Sequence, residues 1–159
     1  MLDTSVVVKS ILEPPKHLSS RIYRREVETR RKIHVALDLL RKHDYTIYFP
    51  RTGLVEVASV LKRNGLDKQD VLGVLKSIEE TFIIVDEAMI YNKALEVALT
   101  TAPSGFDTYF IAVALTTNSI LITDDETMAR HAKILGIDTI LIRRTAMETL
   151  QKKLGKPMH

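Results

Sequence analysis

Apolar residues fall along the chain in two rhythms. Short, nearly unbroken runs occur at Tyr45 to Phe49, Phe82 to Val85, Ser119 to Ile122 and Thr139 to Ile142. They are rich in β-branched and aromatic residues and lack polar alternation, as strands buried on both faces do. Between them lie longer stretches in which apolar residues recur every three or four positions, the period of a helix with one buried face.

The long stretches predict a series of helices. Ser19-Ser20 caps one that runs to about His43, with Ile33, Ala36, Leu37 and Leu40 on its apolar face. Thr52 caps the next, through Leu61, and Asn64-Gly65 stops it. Asp67 caps another, to about Ile78. Glu87 to Thr100 carries Ile90, Ala94, Val97 and Ala98, and Phe106 to Thr117 is apolar almost all round. Asp125 to Leu135 is closed by Gly136, and Thr145 to Leu154 is the last helix, ahead of a frayed tail over 155–159.

The amino-terminal segment is less regular. Met1 to Val8 reads as a strand interrupted by Asp3-Thr4-Ser5, and Lys9 to Pro15 as a short helix stopped by Pro14-Pro15. Only two residues precede Asp3, so either the start lies upstream or that edge of the sheet is short.

Strands alternating with helices predict an α/β domain: three layers, α/β/α, around a mostly parallel sheet of four or five strands. Right-handed crossovers bring the carboxyl ends of all strands to one edge, where ligands bind in open α/β sheets. The 159 residues suit one domain, 1–159, and no internal repeat is present.

Composition narrows the function classes. With no cysteine, disulfides and thiolate metal sites are excluded, and a cytoplasmic setting is expected. No apolar run approaches the ~20 residues of a membrane span. A net charge of +3 and a pI near 9.1 are compatible with nucleic acid without requiring it. The histidines at 17, 34, 43, 131 and 159 show no ligand spacing, and no glycine-rich phosphate loop is present. A phosphoryl-acceptor role for Asp3 needs a second acid beside it, which Asp3-Thr4-Ser5 lacks, and leaves Glu56 without a role.

The chemistry concentrates in acids. Asp3 ends the first strand, and Glu56 interrupts the apolar turn Leu54-Val55-Glu56-Val57-Ala58. Asp107 opens the most apolar helix, and Asp124 with Asp125 follows the Ser119–Ile122 strand. Each also has a plainer reading. Ser104 to Asp107 and Thr123 to Glu126 fit capping boxes, with Asp124 and Asp125 complementing the helix dipole. Asp3 suits a turn with Thr4 and Ser5, and Glu56 can pair with Arg51 or Lys62. Four acids at one sheet edge would otherwise repel one another, and a hard divalent cation such as Mg²⁺ relieves that.

These residues together resemble a PIN domain, the nuclease fold that includes the VapC-type toxins. The resemblance rests on Leu2-Asp3-Thr4-Ser5-Val6, on Val55-Glu56-Val57, and on Phe106-Asp107-Thr108 followed by Ile111-Ala112-Val113-Ala114. It continues in Leu121-Ile122-Thr123-Asp124-Asp125 and in Leu135-Gly136-Ile137, and so covers nearly the whole chain. It implies a Mg²⁺- or Mn²⁺-dependent endoribonuclease with Asp3, Glu56, Asp107 and Asp125 as catalytic acids. Asp3, Asp107 and Asp125 are the implied metal ligands, with Asp124 as a further candidate. Ser5 and Thr123 are implied to orient the carboxylates.

The segment between Asp3 and Glu56 is longer than the family's, by about the basic stretch 14–32. There Arg21, Arg24, Arg25, Arg30, Arg31 and Lys32 stand against Glu26 and Glu28. That stretch reads either as a solvated face or as a contact for RNA phosphates or a partner, with Arg24, Arg25, Arg30 and Arg31 as its candidates. The resemblance also implies a small antitoxin partner; a homodimer is expected partly from the resemblance and partly from apolar residues such as Leu54, Val57, Val60 and Leu61. The alternatives are a catalytically inactive PIN-like module that binds RNA or protein, and an RNA-maturation nuclease.

Overall fold

Thr4 begins a helix, and that early turn decides how the strands assemble. The computed structural model describes residues 1–155, and the expected fray lies, past Gly155, outside the described residues. Helix α1 spans Thr4–Ile11, with Asp3 extended ahead of it and its carbonyl accepting from the amides of Val6 and Val7. The expected strand to Val8 and helix from Lys9 to Pro15 are both corrected. Val6, Val7 and Val8 are buried as helical residues, so tertiary packing overrides their β preference.

The remaining elements follow in alternation: α2 (Ser20–Lys42), β1 (Tyr48–Pro50), α3 (Arg51–Arg63), α4 (Lys68–Thr81), β2 (Ile83–Val85) and α5 (Glu87–Thr101). After them come α6 (Gly105–Thr116), β3 (Leu121–Thr123), α7 (Glu126–Ile134), β4 (Thr139–Leu141) and α8 (Met147–Leu154). All strand pairing is parallel, as an α/β fold requires. The single sheet of four or five strands is not formed among the described residues. Instead β1 pairs with β2 (Tyr48 opposite Ile83) and β3 pairs with β4 (Leu121 opposite Thr139) as separate ladders. Leu2 bridges only to Ile122. Thr4 is already helical, and among the described residues no ladder joins the two pairs.

The core is filled by the apolar faces read from the sequence. Ile33, Leu61, Ile111, Leu121, Ile140 and Leu150 are fully buried, and the Phe49 and Phe110 rings meet edge-on at 5.4 Å. Gly53, in the first turn of α3, lies against both rings. Thr52 is not the helix cap: α3 starts directly after Pro50, and the Thr52 hydroxyl is buried without a partner.

Two surface expectations change. Leu54, Val57 and Leu61 are buried in the protein's own core, so they cannot form a dimer face. The exposed apolar residues nearby are Val55 and, on α5, Met89, Tyr91, Leu95 and Leu99. Nor is the basic stretch wholly a solvated face. It is the first half of α2, packed on α1, with Thr29 buried and Arg30 paired to Glu13. Among the described residues no helix is long and apolar enough to cross a membrane.

Candidate active site

Asp3, the turn after β3 and the first turns of α3 all lie at the carboxyl edge of the strands. A cavity of about 310 Å³ lies at the opposite edge, among Met1, His43, Asn118 and Leu154, away from these acids.

Asp3 is 3% exposed. Its Oδ2 accepts hydrogen bonds from the hydroxyls of Ser5 and of Thr123, the latter at 2.7 Å. Each hydroxyl is itself fixed by the turn after β3: the Asp124 N–H donates to Ser5 Oγ at 3.0 Å, and the Asp125 N–H donates to Thr123 Oγ1 at 2.9 Å. Both bonds fall on Oδ2, which leaves Oδ1 without a hydrogen bond. Burial pushes the Asp3 carboxyl up to about 6, against the two hydroxyls, and the charges of Glu56 and Asp107 add to the rise.

Glu56 is held to the same place from below. Thr4 Oγ1 donates to Glu56 Oε2 at 2.7 Å, so the consecutive residues Asp3, Thr4 and Ser5 serve two acids. Neither Arg51 nor Lys62 pairs with Glu56. Arg51 goes to Asp86, and Lys62 to the carbonyl of Leu66.

Asp107 stands in the first turn of α6, where Ser104 caps the helix by accepting the Asp107 N–H at 3.3 Å. Burial raises the Asp107 carboxyl, Ser104 opposes that, the Asp125 charge adds to it, and His131 acts the other way. Asp107 therefore shares the local field of Asp3, Asp125 and His131. His131, on α7, is 9% exposed, and its Nδ1 is buried without a partner.

Asp125 is itself the cap of α7, its Oδ1 accepting from Thr127 and Met128 N–H at 2.6 and 2.8 Å. The expected capping box with Thr123 as its cap is corrected: Thr123 turns toward Asp3, and Glu126 pairs with Arg144 at 3.0 Å.

Asp124 behaves differently from the other acids. Arg143 forks onto both its oxygens, at 2.9 and 2.7 Å, and Lys9 Nζ reaches Oδ2 at 2.6 Å. Burial would raise this carboxyl, but hydrogen bonds and charge from Arg143 and Lys9 hold it below the ordinary carboxylate range. With both oxygens taken, Asp124 is tied into the fold rather than open to an ion. No local pattern signals this pairing, because Lys9 and Arg143 sit 115 and 19 residues from Asp124.

Basic partners thus go to Asp124, while Asp3, Glu56, Asp107 and Asp125 have no ion-pair partner among the described residues. Their hard carboxylate oxygens, uncompensated and mutually repelling, fit Mg²⁺ or Mn²⁺ in donor type. Among the described residues no three Asp, Glu or His side chains already stand at metal-holding spacing. The convergence expected from the sequence is therefore electrostatic proximity, not a closed cage.

Of the four candidate RNA contacts, Arg24 is exposed and has no ion pair among the described residues, whereas Arg25 pairs with Glu26, Arg30 with Glu13 and Arg31 with Glu28.

No curated protein matches this chain. Residues 1–134 match the model of the PIN domain, which spans every one of the acids above. On that match, the chain belongs to the PIN-domain family.

Proposed function

We propose that the protein is a Mg²⁺- or Mn²⁺-dependent endoribonuclease acting on single-stranded RNA, and that it is the toxin of a cytoplasmic toxin–antitoxin pair of the VapC type. PIN domains are generally nucleases, which supports the reaction class. One observation carries the site: a buried carboxylate, Asp3, raised to about 6 among other acids with no cation of the protein beside it. A protein that placed these groups together only for stability would carry their desolvation and repulsion for nothing.

Asp3 through its free Oδ1, Asp107, and Asp125 through the oxygen not used in capping would hold the ion. When bound, a divalent cation neutralises charge on the phosphate and makes a water easier to deprotonate. Ser5 and Thr123 keep Asp3 Oδ2 turned inward and its lone pairs engaged. Glu56, steadied by Thr4, orients the attacking water and takes its proton. A cleft at a sheet edge admits a flexible strand more readily than a rigid A-form duplex.

The reading includes two protein partners, a small antitoxin and a second copy of this chain. The exposed apolar residues of α5 support self-association.

The test is cleavage of a labelled single-stranded RNA by purified protein free of any antitoxin, with Mn²⁺ or Mg²⁺ and with chelator. Metal-dependent cleavage that disappears in Asp3→Asn is expected. Metal binding without cleavage would replace the nuclease with a binding module.

A further inference from the structure

Arg143 lies in the turn after β4, beyond the residues that match the PIN model. In the fold it joins three elements. Its guanidinium holds both oxygens of Asp124, and Lys9 of α1 shares one of those oxygens while also reaching Glu26 of α2 at 2.5 Å. Asp124 is 2% exposed, and the partly exposed side chains of Lys9 and Arg143 close over it.

A buried ion network of this kind adds little net stability over apolar packing of the same volume. Its effect is on geometry. The bidentate fork allows one orientation of the carboxylate, and Lys9 fixes the same group from the other side. Asp124 is the middle residue of the turn that serves the site. Its own N–H goes to Ser5, the next N–H goes to Thr123, and both hydroxyls end on Asp3 Oδ2. Asp125 follows directly in the chain.

We propose that Arg143 and Lys9 are positioning residues of the acidic site: by clamping Asp124 they hold the Thr123–Asp125 turn in the place that aims Asp3 and Asp125. The inference rests on the nuclease reading above. The clamp touches neither substrate nor metal. It acts through the turn and the two hydroxyls.

The experiment measures Mn²⁺ affinity by calorimetry, and kcat and KM on single-stranded RNA. The proteins are wild type, Arg143→Gln, Arg143→Lys, Asp124→Asn and the Asp124→Asn/Arg143→Gln double variant. Removing a group that orients a metal ligand is expected to weaken Mn²⁺ binding roughly 10–100-fold. In Arg143→Gln kcat should fall with it while KM for RNA holds, and Arg143→Lys should recover part of both. The double variant should be about as impaired as the worse single variant and clearly less than the sum of the two, since the two residues act as one unit. Should Arg143→Gln fail to fold, Arg143→Lys and Asp124→Asn carry the comparison. Wild-type Mn²⁺ affinity and kcat in folded variants, with only thermal stability lowered, would overturn the proposal. So would a rise in KM alone, which would make Arg143 a phosphate contact. If wild type itself binds no Mn²⁺, the nuclease reading fails first and takes this inference with it.

Discussion

Thr123 Oγ1 donates a 2.7 Å hydrogen bond to Asp3 Oδ2 across 120 residues of chain. The bond joins the first residues of the protein to the turn after β3, and it is made inside the core, where both residues are buried. It sets which oxygen of Asp3 is engaged and which is left over. Thr123→Val, nearly isosteric, should cost about 1–3 kcal/mol, mainly because Asp3 Oδ2 loses a donor inside the core, while the part-buried Asp125 N–H loses its acceptor. Urea denaturation measures the loss. An unchanged midpoint would show that the Ser5 hydroxyl alone suffices.

The stability of the metal-free protein should fall as pH rises from about 4 to about 6. Asp3 ionises near 3.8 when unfolded and at about 6 when folded. Between those values the folded state binds more protons than the unfolded one, so raising pH favours unfolding, and the contribution is present in full only below the lower value. The loss is on the order of 3 kcal/mol. Asp3→Asn should remove this slope and leave the apo protein more stable than wild type at pH 7. Mn²⁺ affinity should rise over the same window, since the ion competes with the Asp3 proton. Denaturation midpoints at pH 4, 5, 6 and 7 decide it.

Asp124→Asn should behave unlike the same change at the other acids. It leaves Lys9 and Arg143 without the buried charge they share, and breaking one partner of such a network costs ~3–5 kcal/mol. Asp107→Asn removes no ion pair and lessens repulsion, so it should be neutral or stabilising while abolishing cleavage. Thermal melts of the two variants side by side give the contrast, and equal melting temperatures would contradict it.

Gly53→Ala should destabilise the fold. An added Cβ would stand 2.5 Å from the Phe49 ring and 2.9 Å from the Phe110 ring, closer than carbon atoms approach. Both rings are fully buried, so overpacking should cost ~1–3 kcal/mol, more than the helix preference of alanine returns. A melting temperature at or above wild type would show that the rings shift freely.

RNA affinity should depend on Arg24, which is exposed and has no ion pair among the described residues, more than on Arg25, Arg30 and Arg31, whose guanidinium groups already meet Glu26, Glu13 and Glu28. Neutralising Arg24 should flatten the salt dependence of single-strand binding by roughly 0.7 log units if it makes one phosphate contact. Neutralising any one of the other three should change the slope less. Filter binding at several salt concentrations distinguishes them.

The sequence by itself determined the α/β class and the order of most elements, and it singled out the four acids as candidates. Hydrophobic period and local stop signals are properties of neighbouring residues: Gly136 takes φ +77 where the helix was expected to close, and Asp67 and Ser104 accept the amides their cap positions predict. Contact over long separations decided the rest. Whether Val6, Val7 and Val8 were strand or helix depended on burial against elements far along the chain, not on their own preference. Whether Leu54 and Val57 faced a partner or the core was likewise a matter of packing. Asp124 and Asp125 are adjacent and chemically alike. Only the arrival of Lys9 and Arg143 from elsewhere in the fold neutralised one and left the other, as the helix cap, with a free oxygen. Charge pairing follows distance in space, and a local pattern of residues does not contain that distance.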